Sequence, residues 1–210
     1  MNLNVTDVVK KLLLINIIIF FGATFVLPPQ ITNNWLAVYY PTSEYFQPVQ
    51  LITYMFMHGS LTHLFFNMFG LYMFGPPIEY SWGPKRFLFY YLVAGFGALV
   101  LDFAVKYYQL NYMDYPPEIV DIPMVGASGA IFGLLAAYGL LFPNNVLQLL
   151  FPPIPMKAKY FVLVYAGLEL YLGISGRQAG VAHFAHIGGA LFGFLLIMYW
   201  RNGSKLGRDF

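Results

Sequence analysis

The chain has 210 residues, of which 59% are hydrophobic and only 10% are charged, with a formal net charge of +2. A water-soluble domain of this length cannot bury so much apolar surface, so the composition predicts a protein of the lipid bilayer. The small net charge argues against a nucleic-acid partner, and the absence of cysteine excludes disulfides, thiolate metal sites and a cysteine nucleophile.

Apolar stretches of roughly 20 residues recur along the chain and predict six membrane-spanning helices. No small-residue cleavage site follows the first apolar run, which favours a retained helix over a removed signal peptide. The expected helix ends are Pro28-Pro29, Pro76-Pro77, Pro143, Gly173 and Trp200-Arg201. The predicted helices of this single domain (1–210) span residues of about 9–28, 60–78, 86–106, 126–142, 160–174 and 181–200.

Residues 29–59 join the first two predicted helices, are rich in aromatic residues and contain no Lys or Arg. This composition predicts a loop that lies in the membrane interface, with its rings at the depth of the lipid headgroups. The expected fold class is therefore an all-α membrane protein, a six-helix bundle with a membrane-lying first external loop.

The basic residues predict the orientation of the chain. Only Lys106 and Arg177 fall on the side opposite to the two termini. Because basic residues concentrate on the cytoplasmic side, both termini are predicted to be cytoplasmic, in a multi-pass protein of the cell (inner, cytoplasmic) membrane. The basic residues on the side of the termini are Lys10, Lys11, Lys85, Arg86, Lys157, Lys159, Arg201, Lys205 and Arg208.

Three polar residues in different predicted helices fall at one depth when counted from the cytoplasmic face. Ser128 and His186 each begin a stretch of 15 residues, about 22 Å long, that reaches the predicted helix end. His63 begins a stretch of 14, and Asn67 lies one turn deeper on the same face. Such polar groups usually face the interior of a bundle or a water-filled cavity.

Taken singly, these residues have ordinary explanations. A lone serine in a membrane helix usually bonds a backbone carbonyl, and a lone buried histidine usually joins two helices. Their coincidence at one depth instead favours a reactive site. Gly126, Gly129 and Gly133 leave the backbone around Ser128 uncovered, where helix N-terminal N–H groups suit an oxyanion hole.

A second set of glycines predicts how the site is assembled. Gly189 and Gly193 form a small-xxx-small face that allows the sixth helix to pack closely against the fourth. Such packing would bring His186 within hydrogen-bond reach of Ser128.

Four segments contain or adjoin these positions: QLITYMFMHGSLTHLFFNM (50–68) with its H-x-x-x-N, GPPIEYSWGPKRFLFYY (75–91), GASGAIFG (126–133) and AHIGGALFG (185–193). Together they resemble the rhomboid family of intramembrane serine proteases, over most of the chain from about Gln47 to Trp200. The resemblance implies a six-helix core, a Ser–His dyad without a third carboxylate, and cleavage of membrane-anchored substrates near the outer face.

Carried over residue by residue, the resemblance makes Ser128 the nucleophile and His186 the general base. His63, Asn67 and the backbone N–H of Ser128 correspond to the oxyanion hole. Phe132 matches an aromatic position whose ring packs against the catalytic histidine.

Other family positions are implied to be structural: Glu79, Arg86 and His58. The Trp-Arg pair found in the first loop of some relatives is absent, since Trp35 is followed by Leu36.

Alternatives to this assignment concern the other histidines. His183 is a rival base, about 5 Å nearer the outer surface than His186.

Four histidines also raise the question of a metal site. No carboxylate accompanies them at ligand spacing, and His58 is expected to lie well above His63, so we expect no metal and no cofactor.

Two acids lie well inside predicted helices. Asp102 precedes Lys106 by four residues, which predicts an interfacial ion pair. Glu169 is expected to face the loop cavity or to hydrogen-bond a neighbouring helix. Either acid could orient His186 by a hydrogen bond, although a Ser–His dyad can work without such a partner.

Three functions are therefore weighed, in this order. The first is a serine endopeptidase acting on transmembrane substrates with locally helix-destabilised segments. The second is an inactive rhomboid-like factor that binds and escorts membrane proteins, which would be expected to lack the nucleophile or base. The third is a small transporter, which would need a polar path through the cytoplasmic half of the helices and often an inverted repeat.

Overall fold

The computed structural model describes residues 5–148, 154–175 and 182–203, which are mostly helical. Short 3₁₀ turns at Tyr54–Phe56 and Pro117–Asp121 and an antiparallel pair of strands, β1 (Val146–Gln148) and β2 (Pro155–Lys157), complete it. The helices are α1 (Asp7–Phe25), α2 (Pro29–Leu36), α3 (Gln50–Thr53), α4 (Leu61–Trp82), α5 (Pro84–Tyr112), α6 (Ser128–Leu141), α7 (Ala158–Ser175) and α8 (His183–Gly203).

Some predicted positions lie outside the described residues. They are Arg177, Lys205 and Arg208, used above for orientation, and residue 181, the predicted start of the last helix.

Four of the described helices, α1, α5, α7 and α8, are long and apolar enough to cross a membrane. They carry many large apolar side chains that project away from the protein, such as Ile18, Leu163 and Leu195. Helix α6 is apolar but has only 14 residues, about 21 Å. Most of α6 is buried among other helices, so lipid does not set its length.

The predicted end of the second helix at Pro76-Pro77 is wrong, because α4 continues to Trp82 with both prolines inside it. Prolines are tolerated in apolar helices where neighbouring groups hold the local backbone. Here Glu79, one turn later, accepts hydrogen bonds from backbone N–H groups at the start of α1, including Val9 at 2.9 Å. This contact fixes the last turns of α4 against α1.

Other boundaries also differ from the prediction. Helix α5 runs to Tyr112 rather than to about residue 106, and α1 ends at Phe25, before Pro28. Helix α2 and the β1–β2 pair are not predicted by the sequence, because such short elements carry little hydrophobic periodicity. The chain reverses between α4 and α5 at Gly83, where φ is +80°.

Helix α8 lies between α5 and α6, and glycines let the three backbones approach. A Cβ on Gly189 would overlap the carbonyl of Gly129 in α6, and one on Gly188 would lie 2.5 Å from the carbonyl oxygen of Gly97 in α5. Farther along α8, a Cβ on Gly193 would lie 3.2 Å from Cα of Gly133. The α6–α8 contact therefore follows the small-residue face predicted from the sequence.

Gly189→Ala is expected to lower the melting temperature of the purified protein. The added methyl meets backbone rather than a flexible side chain, so α6 and α8 must separate, at a cost of about 1–3 kcal/mol or more. Gly167→Ala in α7 is the matched control, because its methyl meets nothing within 4 Å. Thermal melting of both variants checks this, and equal melting temperatures would contradict the observed packing.

Buried polar contacts order the segments outside the long helices. The side chain of Gln50, which is fully buried, donates to the carbonyls of Asn34 and Tyr45, both at 2.8 Å. The predicted Asp102–Lys106 ion pair is confirmed at 3.2 Å, and both side chains are buried in the protein. Lys106 also donates to the carbonyl of Ile122, which ties α5 to the segment preceding α6.

Candidate active site

The start of α6 is held in place by the first loop. Met124 and Val38 exchange two backbone hydrogen bonds, of 2.8 and 3.0 Å. Two residues later, the Gly126 N–H donates to the carbonyl of Tyr54 at 2.9 Å, with a φ of +118° that only glycine adopts readily. The chain then enters α6 at Ser128, where the first N–H groups lack intrahelical acceptors.

Ser128 and His186 meet across the α6–α8 contact. The distance from Ser128 Oγ to His186 Nε2 is 2.8 Å, which is a hydrogen bond. The ring of Phe132, one turn into α6, stacks on the imidazole of His186 with centroids 4.4 Å apart and an interplanar angle of 5°. The imidazole of His186 is therefore held by stacking on Phe132 and by the hydrogen bond to Ser128.

The other ring nitrogen of His186 contacts a carboxylate. Oε2 of Glu169, in α7, lies 2.9 Å from His186 Nδ1 and 2.7 Å from His183 Nδ1. All three side chains are largely buried, and Glu169 is 8% exposed. His183 thus shares the same carboxylate oxygen with His186, and its described hydrogen bond goes to Glu169 rather than to Ser128.

His63 and Asn67 lie on α4 beside the start of α6. A Cβ built on Gly126 would lie 2.7 Å from Nε2 of His63 and 3.8 Å from Oγ of Ser128, so the imidazole and the hydroxyl flank this glycine. Asn67 donates from Nδ2 to the carbonyl of His63 at 2.9 Å, and its buried Oδ1 has no partner among the described residues.

Two expectations about the histidines are wrong. A carboxylate does accompany them, because the Glu169, His183 and His186 ligand atoms lie within 4.8 Å of one another. His58 does not lie well above His63, since their ring centroids are 5.0 Å apart. The chain between them bends back into the N-cap of α4 instead of continuing as a helix.

His58, in the segment before α4, packs as a neutral ring. Burial, and next the neighbouring imidazole of His63, lower the pKa of His58 to about 4.

The contact between Glu169 and His186 is one of the alternatives that the sequence leaves open, and a further signal in the sequence favours it. Glu169 has no basic residue three or four positions away in its own apolar helix, whereas Asp102 has Lys106. A lone acid in such a helix needs a partner on another helix. Chemically, the site combines a hydroxyl, an imidazole and a carboxylate in one hydrogen-bonded chain, beside unpaired helix N–H groups.

Comparison with known proteins decides the family. The Rhomboid domain matches residues 45–202. The chain belongs to the rhomboid family. Ser128, His186, His63, Asn67 and Glu169 all lie inside the matched residues.

Three relatives illustrate the similarity of this rhomboid. It is 32% identical to Rhomboid protease AarA of Providencia stuartii over 183 residues, 85% of this chain and 60% of the relative. It is 33% identical to Putative rhomboid protease YdcA of Bacillus subtilis (strain 168) over 151 residues, 70% of this chain and 67% of the relative. It is 32% identical to RHOMBOID-like protein 6, mitochondrial, of Arabidopsis thaliana over 171 residues, 75% of this chain and 49% of the relative.

The matched region of this rhomboid spans from about half to two thirds of the length of these relatives. The family and the apolar helices make it a multi-pass membrane protein of a family that includes proteases.

Proposed function

We propose that this rhomboid is an intramembrane serine endopeptidase that cuts membrane-anchored substrates near the outer face. The observation that carries the proposal is the 2.8 Å contact between Ser128 Oγ and His186 Nε2, on two apolar helices. A nucleophile and its base must lie within hydrogen-bond reach, and this pair does so before any substrate is bound.

The reaction is acyl transfer in two steps. His186, with neutral Nε2, takes the proton of the Ser128 hydroxyl while Oγ attacks the scissile carbonyl carbon. The protonated imidazole then gives that proton to the leaving amine, and an acyl-enzyme is left on Ser128. Water attacks the ester, its proton passes to His186 and returns to Ser128, and the carboxylate product leaves.

Negative charge on the carbonyl oxygen requires donors, which we assign to His63, Asn67 and the Ser128 N–H. The first turn of a helix offers unpaired N–H groups and the positive end of its dipole. The proximity of the His63 ring to Gly126 and Ser128 supports its place in this set. Gly126 keeps a side-chain carbon out of the space between His63 and Ser128, whereas Gly129 lets α6 pack closely against Ala98 of α5.

Substrate access follows from the proposed topology. We propose that α1 and α4–α8 are six spans, that the first loop lies in the membrane interface, and that both termini are cytoplasmic in the cell (inner, cytoplasmic) membrane. Helices α4, α6 and α8 all begin at the site. The end of the bundle where α4 and α8 finish carries the basic residues Lys10, Lys85 and Arg201. The site then opens to the outer side, where water is available.

The favoured substrates are single-span proteins whose helix is locally weak. A helical backbone keeps its carbonyls hydrogen-bonded, so the segment must unwind before Ser128 can attack. Residues of poor helix propensity near the cut lower this cost. The family resemblance further suggests a small residue such as alanine just before the cleaved bond.

Asn67→Ala is expected to lower kcat by about 10²–10³-fold, the usual loss when one preorganised oxyanion donor is removed. KM should change little, because the donor strengthens its hydrogen bond only as charge develops on the substrate oxygen. The measurement is kcat and KM for a single-span substrate, with thermal melting on the same preparation.

A purely structural Asn67 predicts a different outcome. Its hydrogen bond to the His63 carbonyl lies within one helix, so its loss would reduce stability and leave turnover intact. A destabilised but fully active Asn67→Ala protein would therefore remove Asn67 from the oxyanion hole.

The function itself is tested with the purified protein in liposomes. A single-span substrate with a Gly-containing segment near the outer face should be cut there, as located by mass spectrometry of the products. The same substrate with that segment replaced by leucine should be cut more slowly. Binding of the substrate without any cleavage would instead support the inactive escort factor.

A further inference from the structure

We propose that Glu169 is a positioning residue for His186, so that the site works as a Ser–His–Glu chain whose carboxylate is shared with His183. This inference rests on the proposed peptidase function and goes beyond the two-residue dyad implied by the family. It assigns a role to Glu169 and to His183, two buried residues that have no function in a Ser–His dyad.

The hydrogen bonds fix the tautomer of His186. To take the proton of Ser128, Nε2 must be unprotonated, so the ring hydrogen of the neutral imidazole is on Nδ1. That N–H points at Glu169 Oε2, 2.9 Å away, which accepts it. A carboxylate at this position stabilises the productive tautomer and disfavours the flipped ring, as in soluble triads.

His183 also contacts the carboxylate of Glu169. Its Nδ1 lies 2.7 Å from the same oxygen, while its buried Nε2 has no partner among the described residues. A buried N–H without an acceptor is rarer than a buried lone pair without a donor. His183 therefore carries its hydrogen on Nδ1 and donates to Glu169, which fixes the carboxylate in place.

Charge supplies the second reason for a carboxylate at this position. When His186 takes the proton of Ser128, a cation forms inside an apolar bundle, where an unpaired charge is costly. Glu169 contacts that imidazole directly, and it is 8% exposed. The other acid within a described apolar helix near the site, Asp102, is already paired with Lys106 at 3.2 Å.

The test compares Glu169→Gln and Glu169→Ala with the parent rhomboid in liposomes, using a single-span substrate. Glu169→Gln keeps the shape and an accepting oxygen but loses the charge, and we expect kcat to fall about 10-fold or more. Glu169→Ala loses both, and we expect a fall of about 10²–10⁴-fold. KM should stay within about threefold of the parent value, since Glu169 acts through His186.

A fluorophosphonate probe separates positioning from folding. Labelling carried to completion should reach the parent end point in Glu169→Gln, while its rate falls with kcat. Asp102→Asn is the matched control, because it removes another buried acid, one paired with Lys106 and not with His186, and its labelling rate should equal that of the parent.

Two results would overturn the inference. One is parent-like kcat in both Glu169 variants while Ser128→Ala and His186→Ala are inactive, which would leave a working dyad without an orienting acid. The other is a loss of activity that matches a lower labelling end point, which would make Glu169 purely structural. Full activity of Ser128→Ala would instead remove the proposed function itself.

Discussion

Ser128→Ala is expected to abolish cleavage of a single-span substrate, with a loss of about 10⁶-fold in kcat. The substitution removes the atom that forms the acyl-enzyme, and no neighbouring side chain can replace it. The structural cost is small, because one hydroxyl and one hydrogen bond of 2.8 Å to His186 are lost. Stability should therefore fall by only about 1–2 kcal/mol.

The measurement is product formation in liposomes over hours, together with the melting temperature of the same protein. Ser43→Ala is a suitable matched control, since its hydroxyl bonds Asp121 rather than a residue of the site. Proteolysis by Ser128→Ala at the parent rate would contradict a mechanism with Ser128 as the nucleophile.

His186→Ala is expected to be as inactive as Ser128→Ala, because nucleophile and base act as one unit and their losses are not additive. The double variant should be no slower than either single variant. His183→Ala should keep measurable turnover, with a fall of about 10-fold, because the contact between Glu169 and His186 survives the loss of His183.

Turnover of the four proteins, measured with one substrate and one lipid mixture, decides between the two histidines. An inactive His183→Ala protein beside an active His186→Ala protein would reverse their roles. It would also contradict the geometry in which Nε2 of His186 faces Ser128.

Much of the site could be anticipated from depth alone. A helix rises by a fixed 1.5 Å per residue and the bilayer has a nearly fixed thickness, so counting from the helix ends brings Ser128 and His186 to one level. The count for His63 started from Pro76, which is not the end of α4. Glycine spacing also predicted the close α6–α8 contact, because small residues are what permit it. These inferences need only the sequence, since they depend on distances along single helices.

Contacts that depend on helix rotation and loop path could not be read in this way. The partner of Glu169 stays open in the sequence, because nothing in it says which face of α7 meets α8. Pro76 and Pro77 predict a helix end, since the hydrogen bonds to Glu79 that hold the next turn come from α1, about 70 residues away along the chain. The bend after His58, by contrast, is local, because Ser60 caps α4 by accepting a hydrogen bond from the His63 N–H, and a serine before a helix is a signal that the sequence contains.

The most direct measurement is covalent labelling of the purified rhomboid with a fluorophosphonate probe, followed by mass spectrometry of the modified peptide. The proposed mechanism predicts one label on Ser128 in the parent, none at that position in Ser128→Ala, and labelling slowed by orders of magnitude in His186→Ala. A label on a different residue, or parent-like labelling of Ser128 in His186→Ala, would contradict activation of Ser128 by His186.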